Sequence, residues 1–126
     1  MTGWMILAEA ASAHPDNTYS MLRGGIDRYS RQQGQPPIVN SGAIIVRING
    51  DRNEVGQHVM TVVLQNEQGQ TQPPAFPQIN FTVAPGGGTY IAVLNLTGLP
   101  LPPTGIYFFR VLVDGNEVTS WRLEVL

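Results

Sequence analysis

The chain has 126 residues, of which 42% are hydrophobic and 13% charged, and its formal net charge is −2. This length predicts one domain, residues 1–126, and the charged fraction is about half the roughly 25% usual in globular domains. The weak net charge and the scattered arginines argue against a nucleic-acid partner, which would require a basic patch.

The kinds of basic residue and the absence of cysteine exclude several catalytic and binding chemistries. The seven basic residues are all arginine, and the chain contains no lysine and no cysteine. Schiff-base chemistry, a phosphate-loop lysine, disulfides and thiolate sites are therefore excluded. No basic residue precedes the first apolar run, Glu9 interrupts it, and no segment approaches the ~20 apolar residues of a membrane span. We therefore expect a cytoplasmic protein that does not bind membranes.

The first half of the chain alternates apolar stretches with turn signals, as all-β proteins do. Residues 4–11 predict a first strand, followed by a turn at 14–17. Residues 18–29 predict an extended segment, broken at Gly24-Gly25 by a bulge or a close backbone approach. A polar, proline-bearing surface loop at 31–37 then leads to the strongest interior strand, residues 43–49.

The second half continues the same pattern. Residues 57–65, 79–84 and 89–96 predict strands, whereas the three prolines of residues 72–77 place that segment at a sheet edge or between sheets. Residues 105–126 form the clearest feature, a closing hairpin that turns at Asp114-Gly115. Together these elements predict an all-β fold, a single Ig-like β-sandwich of seven to eight mostly antiparallel strands.

The closing hairpin carries a period-two apolar pattern that predicts which side chains face the core. The inward residues on its two strands are Tyr107, Phe109, Val111 and Val113, followed by Trp121, Leu123 and Val125. An apolar face of this kind needs a second layer over it, which indicates a sandwich.

Several motifs resemble those of a known family. Residues 105–115 read Gly-Ile-Tyr-Phe-Phe-Arg-Val-Leu-Val-Asp-Gly, a run common in the closing hairpins of Ig-like modules. With Ala8-Glu9-Ala10, Gly25-Ile-Asp-Arg28 and the Glu54-x-Gly-x-His58 step, the chain resembles an uncharacterised family of short bacterial Ig-like β-sandwich proteins, a domain of unknown function. The resemblance spans nearly the whole chain, and it implies a sandwich fold and no catalytic residues.

Candidate catalytic and metal-binding residues are few. His14 and His58 stand apart without a second nearby ligand, so a turn histidine and a strand-end histidine are favoured over a metal site. The glycines of residues 85–88 lack the following helix or lysine of a phosphate loop. The acidic residues form no legible pair, and no serine lies in a Gly-x-Ser-x-Gly motif. We predict a protein that is not an enzyme and has no metal or cofactor.

Glu9 interrupts an apolar strand, and its direction stays open. If it points inward, it needs a partner such as Arg28, Arg47 or Arg110, because a buried charge must be paired. If it points outward, it lies in solvent on a strand that alternates.

The outward face of the closing hairpin is the predicted interaction surface, formed by Ile106, Phe108, Arg110 and Leu112. Three large apolar groups beside one arginine have the composition of an interface core, although the N-terminal segment or residues 72–77 could instead cover them. The predicted function is a non-catalytic protein–protein interaction or assembly module, with an unknown protein partner or as a homo-oligomer. The alternative is a small-ligand or carbohydrate module that uses Trp4, Trp121 or the tyrosines as a stacking platform.

Overall fold

Two β-sheets make up the fold, as seen in a computed structural model that describes residues 1–31 and 33–126. Within these residues the strands are β1 (Thr2–Ala13), β2 (Tyr19–Gly24), β3 (Arg28–Tyr29), β4 (Ala43–Gly50), β5 (Gly56–Asn66), β6 (Thr71–Gln72), β7 (Ile79–Val83), β8 (Gly88–Asn95), β9 (Gly105–Val113) and β10 (Asn116–Val125). A single 3-10 turn, Arg52–Glu54, precedes β5. The ten strands exceed the predicted seven to eight because β3 and β6, two residues each, are too short to show a period.

The strands divide between a four-stranded sheet, in the order β2-β1-β4-β8, and a six-stranded sheet, in the order β3-β10-β9-β5-β6 with β7 also on β5. Neighbouring strands run antiparallel except for β3, which lies parallel to β10. The all-β, mostly antiparallel sandwich expected from the sequence is confirmed.

The predicted extended segment 18–29 is in fact two strands that belong to different sheets. β2 pairs with β1 in one sheet, and β3 pairs with β10 in the other. The chain crosses between them at Gly25, whose φ of 97° suits glycine, and the amides of Gly25 and Ile26 both donate to the Leu7 carbonyl at 2.9 Å. The break at Gly24-Gly25 therefore marks a change of sheet rather than a bulge within one strand.

The predicted loop at 31–37 lies beside this crossing. Gln32 lies outside the described residues, and residues 33–37 are exposed. The surface position expected for this loop is therefore found for the part that the structure describes.

The core lies between the sheets and contains the residues predicted to face inward. Six of the seven named hairpin positions are buried: Tyr107, Phe109, Val111, Val113, Leu123 and Val125. Trp121 is half-buried at the margin, where its Nε1 donates to the Ile26 carbonyl at 2.8 Å. Asp114 and Gly115 both have positive φ, 51° and 85°, as the predicted hairpin turn requires.

Two contacts close the sandwich near the start of β9. The Tyr107 hydroxyl donates to the Pro103 carbonyl at 2.6 Å, which ties β9 to the connection before it. Phe76, from the proline-rich segment after β6, packs edge-on against Phe109 with 6.3 Å between ring centroids. The segment 72–77 thus starts on the edge of the six-stranded sheet, as β6, and then covers an open side of the core.

The outer face of the four-stranded sheet is also buried, which the sequence did not predict. Ile45, on the opposite side of β4 from the core residues Ile44 and Val46, is 0% exposed. The other buried residues on this face are Ala8, Ala43 and Ile91.

The cover is the distal part of the β1–β2 hairpin, residues 9–24, which we call the arm. Tyr19 pairs with Ala13, about 30 Å along a straight strand from Trp4, given roughly 3.3 Å per residue. Yet the Trp4 and Tyr19 rings meet with their centroids 5.5 Å apart. The arm therefore bends back over the outer face. Arg23, with a φ of 51°, lies at the bend.

Glu9 lies at the same bend, and its side chain is half-buried. Its carboxylate is 3.5 Å from a guanidinium nitrogen of Arg23, which stands opposite it in the hairpin. Neither alternative holds in full: Glu9 is paired, as a buried carboxylate would need, but it is only half-buried, and its partner Arg23 was not among the three arginines considered.

Candidate interaction surface

The predicted interface residues form one row on the outer face of the six-stranded sheet. Ile106, Phe108, Arg110 and Leu112 alternate with the buried residues of β9, and each of the four is half-buried. Because β9 lies between β5 and β10, outward side chains of both neighbours shelter the row. We call these four residues the β9 row.

Val63 of β5 extends the β9 row and was not among the predicted interface residues. It lies directly beside Arg110 in the strand register and is half-buried. The sequence did carry a signal, since Val63 alternates with the buried Val62 and Leu64 and must face outward. An apolar residue at such a position departs from the polar outer face expected of an antiparallel sheet with one wet face.

Arg110 is held in place at the centre of the row. Its Nε donates to the Gln65 side-chain oxygen at 2.8 Å, and its Nη1 donates to the Glu117 carboxylate at 2.8 Å. The guanidinium carbon lies 5.0 Å from the centroid of the Phe108 ring. These contacts restrict the side chain before any partner arrives, so that less conformational entropy is lost on binding.

The two segments considered as covers for the β9 row lie elsewhere. Residues 2–13 form β1 in the four-stranded sheet, and the distal part of β1 belongs to the arm, which folds over the outer face of that sheet. Phe76 of the proline-rich segment packs against Phe109, whose ring points into the core. Neither segment therefore accounts for the apolar side chains of the row.

The aromatic residues named for a stacking platform do not form a flat surface. The Trp4 and Tyr19 rings meet at 70°, edge to face. Trp121 is half-buried, and its indole nitrogen is bonded to a backbone carbonyl. A carbohydrate platform needs exposed rings that lie in one plane, so this geometry gives no support to that alternative.

The two histidines occupy separate places. His14 lies in the exposed turn of the arm, with Nε2 2.8 Å from the Ser20 hydroxyl. His58 lies at the start of β5, with Nδ1 2.6 Å from the Asp114 carboxylate and Nε2 2.6 Å from the Glu54 carbonyl. In residues 1–31 and 33–126, no three His, Cys, Asp or Glu side chains are grouped as a metal would require.

His58 has an acceptor at each ring nitrogen, so both hydrogen bonds form only when the ring is protonated. The Asp114 carboxylate and, secondly, the Glu54 carbonyl raise the pKa of His58 above its usual value. Conversely, the hydrogen bond from His58 lowers the pKa of Asp114. His58 and Asp114 line a small cleft. Two further charged groups lie around it: Glu117, and the Met1 amine, which is 2.7 Å from the Glu54 carboxylate. Protonated His58 thus links the turn of the closing hairpin to the start of β5.

Because the folded state raises the pKa of His58, its contribution to stability is fully present below the unfolded pKa of about 6.5 and is lost as the pH rises through the higher folded value. We expect the melting temperature of the wild type to exceed that of His58→Gln more at about pH 5.5 than at about pH 8.5. At the acid end, protonation of Asp114 below its lowered pKa removes the same contribution.

His14→Gln is the matched control, because His14 contacts a neutral hydroxyl. It shows what the loss of a histidine outside this bridge does to the melting temperature at each of the two pH values. A His58→Gln difference that is constant or grows with pH would show that the protonated bridge does not stabilise the fold.

The most exposed apolar side chains in a strand belong to β2, at the free edge of the four-stranded sheet. Met21 is 42% and Leu22 58% exposed, and both line an open depression of about 310 Å³ along the arm. Sequence analysis missed this edge because residues 18–29 read as one extended segment. The available signal was the pair of consecutive apolar residues, because neighbouring residues in a strand point to opposite faces.

Comparison with known proteins gives a family and no activity. One family model matches residues 3–126, nearly the whole chain, and it describes a family of unknown function. No curated protein matches the chain. Within the described residues, no helix has the length and apolar character needed to cross a bilayer.

Proposed function

Because the chain belongs to DUF6941, a family of unknown function, we propose its role from its surface: a non-catalytic module that binds a protein chain through the β9 row. The observation that carries the proposal is Arg110, held by three side chains in the middle of an otherwise apolar row. The proposal includes no enzymatic activity, cofactor or nucleic-acid partner, and a cytoplasmic location stays a prediction from the sequence.

The composition of the β9 row supports a protein partner. Aromatic residues and arginine are enriched at the centres of protein interfaces, where they contribute most of the binding energy. The net charge of −2 offers little repulsion between two copies of the chain. A second copy is therefore the partner to test first, and in a two-fold dimer Phe108 would lie near its own copy.

Strand order also supports the sequence-based prediction that this sandwich is immunoglobulin-like. The neighbours β5-β9-β10 and β4-β8 follow the orders C-F-G and B-E of immunoglobulin-like sandwiches. The bond from Tyr107 to Pro103 has the form of the tyrosine corner of those domains, and Phe109 then stands where many of them have a cysteine. A bacterial origin is a prediction that rests on the sequence resemblance alone.

We expect wild-type protein to form dimers and Phe108→Glu to weaken dimerisation by at least about tenfold, which corresponds to roughly 1.4 kcal/mol. The reason is that an added carboxylate in each copy would be buried against its symmetry mate. Sedimentation or light scattering over a range of concentrations measures the effect.

Thr82→Glu is the matched control, because Thr82 is exposed, faces outward on the same sheet and lies on the edge strand β7. It should dimerise like the wild type. A wild type that stays monomeric at high concentration would remove the homodimer version. If Phe108→Glu lowers the melting temperature of the monomer by many degrees, Phe108 belongs to the core and the β9 row is not an interface.

A further inference from the structure

A second surface lies where the chain crosses between the sheets, and it is separate from the β9 row. A cleft of about 230 Å³ opens there, between the bend of the arm and residues 38–41. Arg23 and Arg28 both line it. The same two arginines line a second depression of about 300 Å³ on the other side of the crossing. Both arginine side chains therefore border the same cleft.

Both guanidinium groups are accessible. Arg23 is 77% and Arg28 64% exposed at the side chain. Arg23 lies 3.5 Å from the Glu9 carboxylate, and Arg28 directs its Nε to Asp27 at 3.3 Å. A guanidinium has five N–H donors, so single long contacts of this kind leave donors for a ligand. A planar carboxylate matches the fork of an arginine and can accept two such bonds at once.

The backbone at Arg23 adds an independent observation. Its φ of 51° lies in the left-handed region, which glycine adopts without strain and arginine does not. Strained residues of this kind cluster at binding sites, where the side chain offsets what the backbone loses. The bend of the arm needs this conformation, but it does not need an arginine.

The remaining walls of the cleft are mixed, and their polar members are Glu9, Ser30, Asn40 and Ser41. Ile26, Ile38 and Leu101 form one part, and Tyr29 lies beside them. Burial raises the pKa of Tyr29 to about 12, and its hydroxyl donates to the Ser41 carbonyl at 3.5 Å. The cleft thus combines two guanidinium groups and one carboxylate with an apolar patch on part of its wall.

We propose that this cleft binds a small organic carboxylate, with the carboxylate between Arg23 and Arg28 and an apolar body against Ile26, Ile38 and Leu101. The volume of about 230 Å³ accommodates roughly seven or eight non-hydrogen atoms at the density of water. Glu9 and Asp27 balance the formal charge of the two arginines, so the preference for a carboxylate rests on its match to the planar fork of an arginine and not on net charge.

The direct test is a titration of isotope-labelled protein with 4-methylpentanoate, followed by amide chemical shifts. We expect saturable shifts confined to residues 23–29 and 38–41, with a dissociation constant on the order of 1–10 mM. The neutral analogue 4-methylpentanamide should bind at least about tenfold more weakly, because it lacks the charge that the arginines recognise. Shifts that do not saturate, an equal response to the amide, or tighter binding of inorganic phosphate would overturn the proposal.

Variants separate binding from folding. Arg23→Gly should melt at the wild-type temperature or higher, because glycine relieves the strained φ, and should bind the carboxylate at least about tenfold more weakly. Arg28→Gln should show the same loss of binding. Arg122→Gln is the control, because Arg122 is 52% exposed on the outer face of the six-stranded sheet, and it should bind like the wild type. Wild-type affinity in Arg23→Gly or in Arg28→Gln would overturn the site.

Discussion

Replacing Phe109 with alanine is expected to lower the free energy of unfolding by about 3–5 kcal/mol. The ring is 3% exposed and packs against Phe76. An apolar space of about 20 Å³ already borders it, so truncation would enlarge a cavity that the neighbouring strands cannot fill by small movements. Urea unfolding followed by circular dichroism measures the change.

Phe108→Ala is the matched control, because it removes the same ring from the next position on β9, on the outer face. We expect it to cost less than half as much as Phe109→Ala, since its ring is only half-buried. Trp121→Ala should lie between the two, because the indole is half-buried and loses its bond to Ile26. Equal effects at Phe108 and Phe109 would mean that the inward and outward faces of β9 are assigned incorrectly.

Ile45→Ala should lower the free energy of unfolding by about 2–5 kcal/mol, a value typical of core positions. Ile45 lies on the face of β4 that points away from the sandwich core, yet the side chain is 0% exposed. The arm accounts for this burial. The variant should still fold, and denaturant titration should show its lower free energy of unfolding.

Val63→Ala is the control for Ile45→Ala, because Val63 also faces outward from a central strand, in the other sheet. We expect it to cost no more than about 1 kcal/mol, since the side chain is only half-buried. If Ile45→Ala has an equally small effect, the arm does not pack on the four-stranded sheet in solution.

Much of the fold could be predicted from the sequence because period-two alternation reports directly on sheet faces. The inward residues of β9 follow from that period, and the turn at Asp114-Gly115 follows from the tolerance of those residues for positive φ. The family was also predicted correctly as an uncharacterised one, from motifs in the strands and turns. These signals depend only on residues close together in the chain, so they remain valid whatever other segments pack against the strand.

The buried outer face could not be predicted in the same way, because it depends on contacts between distant residues. The run from Ala43 to Ile48 has apolar residues on both faces of the strand, which is typical of a strand covered on both sides. The sequence does not say what covers it. The contact between Trp4 and Tyr19 requires the bend at Arg23, and no local pattern predicts a left-handed arginine.

The two candidate sites also differ in how far local sequence patterns predict them. The β9 row follows from alternation within one strand, whereas Val63 joins it only through the strand register. The cleft of Arg23 and Arg28 requires the change of sheet at Gly25, so the two arginines looked scattered along the chain. The sequence did carry a signal for the hydrogen bond from Tyr107 to Pro103, namely a tyrosine just inside β9 after a proline-rich connection.

The parallel pairing of β3 with β10 has a consequence for the rate of folding. Arg28 pairs with Glu124 and Tyr29 with Val125, and the amide of Arg31 donates to the Leu126 carbonyl at 3.1 Å. These contacts join residues separated by about three quarters of the chain, and such high contact order slows folding to milliseconds or longer. On the ribosome, residues 124–126 are synthesised long after residues 28–31, so residues 28–31 are among the last parts of the chain to acquire their native hydrogen bonds.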